Sequence, residues 1–306
     1  MKKVLISLFA VAAMVSCSND ELVELNQQAI AFGDAFVDNA TRADYSSGKL
    51  LESFKVYGTA NGVLIFDGDA VTRPASLSSG YDNTKAWECT ETQYWVPNAT
   101  YNFAAIVDGG EPVTAMPTTI PFTVADGADN KDLLYAEATA TVNPDGTVTN
   151  LTNDMVAFTF NHLLSKLYFT VNVDPTMTGY TVTPTSIAVT GVQKNGIYTI
   201  DGTYDGEENG TWEKNGGDIT SLEFVNGGVL QSRQIIPVQQ TLDVTITYET
   251  YFGGAMISSA TKKGTITHAF EKNTVYNIGA TISGTKIQFT VTGCEGFDTT
   301  GGNINM

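Results

Sequence analysis

Apolar and polar residues alternate with a period of two along most of this chain, and no window shows sustained apolar residues at helical spacing. In Leu167-Tyr-Phe-Thr-Val-Asn-Val173 the alternation puts Leu167, Phe169, Val171 and Val173 on one face. Asp243-Val-Thr-Ile-Thr-Tyr248 does the same with Val244, Ile246 and Tyr248. Successive side chains of a strand point to opposite faces, so each segment reads as a half-buried antiparallel strand. Asn-Gly or Asp-Gly steps recur at 61, 67, 108, 126, 145, 195, 201, 205, 209, 215 and 226. These dipeptides tolerate the positive φ of tight hairpins, and so many of them imply many short strands. An all-β fold of two antiparallel β-sandwiches in tandem follows from this spacing, and 306 residues fit two domains of about 150 each. The polar, turn-rich stretch from Asn143-Pro-Asp-Gly146 to Asn153-Asp154 is the best internal boundary, which places the seam near residue 150. A second such stretch, Asp201 to Asp218, reads as a long exposed loop of the second half.

The first residues read as an address. Lys2-Lys3 and the twelve-residue apolar run Val4 to Val15 have the form of a secretory signal, too short for a permanent span of about 20 residues. Met14-Val15-Ser16-Cys17 resembles a bacterial lipobox, in which the thiol of Cys17 accepts a diacylglycerol before cleavage. The alternative is an ordinary secreted protein with a chance cysteine. Ser18-Asn19-Asp20-Glu21 resembles the acidic tract that directs such lipoproteins outward, so the expected location is the outer face of an outer membrane. Cys89 and Cys294 then remain, and are read as two unpaired, partly buried thiols rather than a bridge.

Net charge is −17, and loss of residues 1–16 leaves 14 basic residues against 33 acidic, a net −19. Such a field repels phosphate backbones, which argues against nucleic-acid binding. Enzyme chemistry finds little support. His162 and His268 are the only histidines; each alternates with apolar neighbours and reads as a structural, hydrogen-bonded side chain. No nucleophile elbow, Walker loop, dinucleotide glycine motif or zincin helix occurs. The acidic loops Asp201 to Glu208 and Asp126 to Asp132 lack the spacing of a calcium loop. We therefore expect no cofactor, no metal and no enzymatic activity. Trp87, Tyr94, Trp95 and Trp212 could stack on sugar rings, although sandwich cores use aromatic residues routinely.

Several ordered strings resemble the fimbrillin family, the subunits of lipoprotein-derived pili in Gram-negative anaerobes. Ile30-Ala-Phe32 followed by Thr41-Arg42-Ala43 is similar to that family's first strand and maturation site. Leu51-Glu-Ser-Phe54-Lys-Val56-Tyr-Gly58, Tyr101-Asn-Phe103-Ala-Ala105 and Asp132-Leu-Leu-Tyr-Ala136 are similar to its N-terminal domain. Phe158-Thr-Phe160-Asn-His162-Leu-Leu-Ser165-Lys166-Leu167 resembles the opening of its second domain. Glu271-Lys-Asn273-Thr-Val-Tyr276 and Lys286-Ile-Gln-Phe-Thr-Val-Thr292 resemble its closing strands, with Cys294 where a tryptophan is common. The resemblance implies transthyretin-like sandwich domains and the following organisation: signal peptide 1–16, propeptide with first strand 17–42, N-terminal domain 43–150 and C-terminal domain 151–306.

It also implies a pilus subunit that polymerises by strand exchange and supports adhesion. Its partners would be other subunits, an arginine-specific protease, and a host protein or glycan. Cleavage between Arg42 and Ala43 would release the lipid on Cys17 together with the strand around Ile30 and Phe32, leaving 264 residues. Lys286-Ile287-Gln-Phe289-Thr-Val291 repeats the Ile-x-Phe spacing of that strand, which makes Ile287, Phe289 and Val291 the candidate donor. Alternatively the first strand stays in place and 287–291 is merely the last strand of its own domain. The competing function is a monomeric outer-membrane lipoprotein that binds glycans through its tryptophans.

Overall fold

Alternating sequence becomes sheet where a turn lets the chain reverse. Asn61 and Gly62, at φ 47° and 80°, join Ser53–Ala60 to Val63–Thr72 with Ala60 opposite Val63, the two-residue hairpin expected of Asn-Gly. The computed structural model describes residues 28–37, 51–77, 84–107, 116–126, 130–203, 209–284 and 286–295. Apart from one short turn of 3-10 helix at Ala75–Leu77, every regular element among them is a β-strand. The fold is all-β.

In the first half, Leu134–Val142, Ala99–Val107, Ser53–Ala60 and Val63–Thr72 form an antiparallel sheet, and Glu88–Cys89 extends its far edge. Val156–His162 joins this sheet through only two pairs, Leu134 with His162 and Tyr135 with Asn161. Its other residues turn away to lie parallel to the first strand, Phe32–Val37. A strand that changes layers in this way makes the corner of a sandwich. Between the layers sits an aromatic core of Phe32, Phe54, Phe66, Trp87, Trp95, Tyr101, Phe103, Phe158 and Phe160.

The second half packs two four-stranded sheets face to face. One runs Arg233–Ile235, Ser165–Val173, Thr274–Ser283, Lys286–Glu295; the other runs Leu222–Glu223, Tyr180–Thr190, Gln239–Phe252, Ala255–Ala269. Leu167, Phe169, Ile187, Val189, Val244, Ile246 and Ile278 are fully buried between them, so the alternation seen in the sequence is the inward face of the sandwich.

Two expectations need correction. Strand pairing does not change hands at residue 150. The polar stretch there folds back as a hairpin, with Asn143 N–H donating to the Thr147 carbonyl and Val148–Thr149 pairing with Thr141 and Val142. A turn-rich polar segment reads alike in sequence whether it is a linker or a hairpin tip. Val156, Phe158 and Phe160, from the run Met155 to Phe160 expected to open the second domain, instead fill the first core, and the buried pair Leu163-Leu164 is the first of the chain after them to join the second core. The halves are also stitched together. Thr119–Thr123 pairs with Asn195–Thr199, which pairs with Thr211–Lys214, and Tyr57, Ala104, Ile106 and Tyr135 join the core of the second half. Nor are the sheets wholly antiparallel, because Phe32–Val37 on Val156–His162 and Ser165–Val173 on Thr274–Ser283 run parallel. Parallel neighbours need a long crossover, which two-residue periodicity cannot reveal.

Trp212 takes part in this stitching through its indole N–H, which donates to the Leu163 carbonyl at 2.7 Å. Trp212→Phe keeps most of the ring but removes that donor from a part-buried connection. We expect it to lower stability by about 1–2 kcal/mol in urea unfolding, with an unchanged far-UV spectrum.

Candidate functional site at the seat of the first strand

The apolar spacing of Gln28 to Val37 decides which way its side chains face, and the surrounding backbone clamps it on both sides. On one flank Ile30 N–H donates to the Gln93 carbonyl at 2.8 Å, Trp87 N–H to Phe32 at 2.8 Å and Trp95 N–H to Gln28 at 3.0 Å. On the other, Val156 N–H donates to Ala31 at 2.9 Å, and the parallel register runs from Phe32 opposite Val156 to Val37 opposite Phe160. Residues 87–95 thus hold the segment's start, Gln28 to Phe32, on one side, and Val156–His162 holds Ala31 to Val37 on the other, where Phe32–Val37 is the end strand of its sheet.

Its side chains complete the core. Phe32 is fully buried, edge-on to Phe66 at 5.2 Å and Phe103 at 5.8 Å and stacked near Phe158 at 6.0 Å; Ile30 and Ala35 are buried beside it. Each fully buried large apolar side chain contributes about 1.5–3 kcal/mol. Gly33 is needed for a different reason: a Cβ there would lie 2.5 Å from Met155 Sδ and 3.3 Å from the Lys85 carbonyl oxygen. Losing the segment would leave unpaired backbone groups along an aromatic groove, the two features that favour capture of another strand. At the mouth of the seat, the Trp95 indole N–H is buried with no acceptor among the described residues.

The terminal strand Lys286–Glu295 differs in kind. It pairs antiparallel with Thr274–Ser283, from Ser283 opposite Lys286 to Thr274 opposite Glu295, and lies at the edge of its sheet. Ile287, Phe289 and Val291 are half-buried against the second core, and Lys286, Gln288 and Thr290 are exposed. Phe289 lies over Gly264 of the facing sheet, where a Cβ would come within 2.4 Å of the ring. The two segments that share Ile-x-Phe spacing thus occupy different halves of one molecule: Ile30 and Phe32 inside the first core, Ile287 to Val291 on an edge of the second. Cys17, Arg42 and Ala43 lie outside the described residues. Sequence reasoning missed the 87–95 clamp and the roles of Met155 and Gly264. An alternation pattern carries no signal for any of them.

The remaining candidates are structural. His162 Nδ1 meets Asp132 Oδ2, while Asp132 Oδ1 accepts the Leu133 N–H at 2.9 Å. His268 packs edge-on to Phe270 and Tyr276 at 5.0 and 5.1 Å. Trp87 and Trp95 are only 7% and 5% exposed, which leaves neither with a face for a sugar ring. Cys89 is a free, half-buried thiol whose pKa burial pushes up. Among the described residues no group of three or more His, Cys, Asp or Glu side chains could hold a metal ion.

Residues 41–293 match the fimbrillin-like family, a span that opens beside Arg42 and closes within the terminal strand. The chain belongs to that family. Among solved structures, this fimbrillin-like chain is similar to a candidate cell adhesion protein from Bacteroides uniformis, with 16% identity, TM-score 0.55 and coverage of 87% of this chain and 97% of the other. It is likewise similar to a fimbrial protein from Bacteroides vulgatus, at 14% identity and TM-score 0.55, covering 87% and 99%. A candidate cell adhesion protein from Bacteroides ovatus follows at 14% identity and TM-score 0.51, covering 88% and 96%. At such identities the likeness is one of fold. Comparison with curated proteins finds no match.

The buried first strand yields a direct measurement. Phe32→Ala in the intact fimbrillin-like chain is expected to reduce unfolding free energy by about 3–5 kcal/mol, the range for deleting a core aromatic ring. Chemical denaturation followed by tryptophan fluorescence reads it, since Trp87 and Trp95 share that core.

Proposed function

We propose that this chain is a structural subunit of a cell-surface pilus, without enzymatic activity, exported as a lipoprotein anchored at Cys17. Cleavage between Arg42 and Ala43 frees it, and subunits then join by donor-strand exchange. The observation that carries the reading is the first strand. It is hydrogen-bonded to Val156–His162 along its length and to residues 87–95 at its start, and it supplies Phe32 to the centre of the aromatic core, yet it precedes the proposed cut and would be lost with propeptide 17–42. A folded protein that sheds such a stave has strong reason to accept another.

The terminal strand is suited to supply it. As an edge strand it has one ladder to give up, and its apolar side chains are only half-buried at home. Moving Ile287 and Phe289 into the sites of Ile30 and Phe32 exchanges partial burial for complete burial, and Val291 follows one pleat further. This register sets Thr290 in the place of Gly33, against Met155 Sδ. The thioether is the flexible end of its side chain and can swing aside. Family membership supports association with other subunits and location in a fimbrium; the adhesion target we propose is a host protein or glycan. The glycan-binding monomer is less favoured, because two of its three tryptophan platforms are inside the core.

Protein trimmed after Arg42 should form fibres visible by electron microscopy, truncation before Lys286 should abolish them, and His162→Gln should leave them intact. Fibres from the truncated form would exclude the terminal strand as donor. Sheared fibres should begin at Ala43 on N-terminal sequencing; a blocked Cys17 would instead indicate a permanent anchor. Thr290→Gly removes the side chain that meets Met155, and should shorten the lag of assembly.

A further inference from the structure

Nine large hydrophobic side chains are exposed among the described residues, and eight of them fall into two groups. One group is Val63, Leu64, Tyr94 and Val96. Tyr94 bridges Ala29 at the entry of the first strand, Val96 N–H donates to the Tyr101 hydroxyl at 2.8 Å, and Val63 lies on the hairpin opposite Ala60, which pairs with Tyr101. This group rims the mouth of the seat, at the end of the sheet remote from the Leu163-Leu164 connection. The other group is Tyr180, Phe252, Met256 and Ile257. Tyr180 and Phe252 pack ring to ring at 4.9 Å, and the register shift opposite Thr250 and Tyr251 leaves Ile257 as the unpaired residue of a bulge. Gly284 N–H donates to Met177 Sδ at 3.2 Å, and Tyr180 N–H donates to the Met177 carbonyl at 3.3 Å. Through Met177 and Tyr180 this second group stands at the end of the sandwich from which the terminal strand departs.

We infer that these two surfaces bind each other between successive copies of the chain. The inference rests on the strand-exchange reading and follows from the length of the tether. With Ile287 in the site of Ile30, running in the first strand's direction, Lys286 takes the place of Ala29 beside Tyr94. Only Gly284 and Thr285 separate Lys286 from Ser283, which stays in its own sheet. At about 3.3–3.6 Å per extended residue, three steps reach roughly 10 Å. So short a tether holds the Phe252 and Met256 end of the donor copy against the Tyr94 and Val96 rim of the acceptor. Both surfaces are apolar on a trimmed chain, residues 43–306, with 13 basic residues against 28 acidic, a net −15, so they are where two like-charged copies can meet with least repulsion. The contact is heterologous, one end of each copy on the opposite end of the next, and repeats along a fibre.

The test uses fibres of a Cys89→Ser, Cys294→Ser background carrying both Val96→Cys and Met256→Cys, treated with a short bis-maleimide. Val96 is 53% exposed and Met256 57%, so both variants are tolerable to the fold. The inference expects a covalent ladder of subunits from the paired variant, and none from either single cysteine. Fibres that form without a ladder would overturn the interface and leave strand exchange standing. A ladder that survives truncation before Lys286 would instead retire strand exchange and keep the apolar contact. Independently, Phe252→Asp with Met256→Asp should leave thermal unfolding unchanged while cutting fibre yield at least tenfold. An unchanged yield would also overturn the interface.

Discussion

The packing of Phe32 against Phe66, Phe103 and Phe158 is the contact on which the first half of the molecule turns. Those three rings come from strands far apart in the chain, and the side chain that reaches all of them stands on a segment at its front. Because the same segment is bonded to Val156–His162 on one side and to residues 87–95 on the other, burial and backbone pairing are satisfied together. A buried backbone group without a partner is costly, so the segment and its clamp are a single cooperative arrangement. A replacement must supply both a ladder and a row of apolar side chains.

In the second half the difference lies in burial. Its terminal strand has one neighbour in its sheet, and its aromatic side chain rests on a bare glycine backbone at Gly264. Close approach of this kind gives Phe289 a place without burying it completely. One half thus holds a strand that cannot leave without exposing a core, and the other holds a strand whose departure exposes much less. The Thr119–Thr123 pairing with Asn195–Thr199 and the Trp212 bond to Leu163 tie these unlike halves together, which keeps the first and terminal strands on one body.

Much of this was legible in the sequence. Alternation in Leu167 to Val173 and Asp243 to Tyr248 identified strands and their inward faces, because side-chain parity is a local property. Asn61-Gly62 marked its hairpin for the same reason. Asn195-Gly196 misled: it lies inside Asn195–Thr199, where a Cβ on Gly196 would come within 2.9 Å of Trp212 and Ile236, so glycine is there for space rather than for a turn. The seam near 150 failed because hairpin tips and linkers share a composition. Ile30 and Phe32 are buried, and their Ile-x-Phe spacing is local to the sequence. The clamp around them depends on partners brought together by long crossovers, and no local pattern records those.

Parallel pairing of Phe32–Val37 with Val156–His162 also bears on the order of synthesis. The earliest strand of the described fold waits for a partner that emerges only when residue 162 of 306 has been made. Contacts between residues so distant form late, since loop closure must come first. Until then the aromatic residues of the first half lack the strand that closes their interior, so that core forms only after more than half of the chain exists.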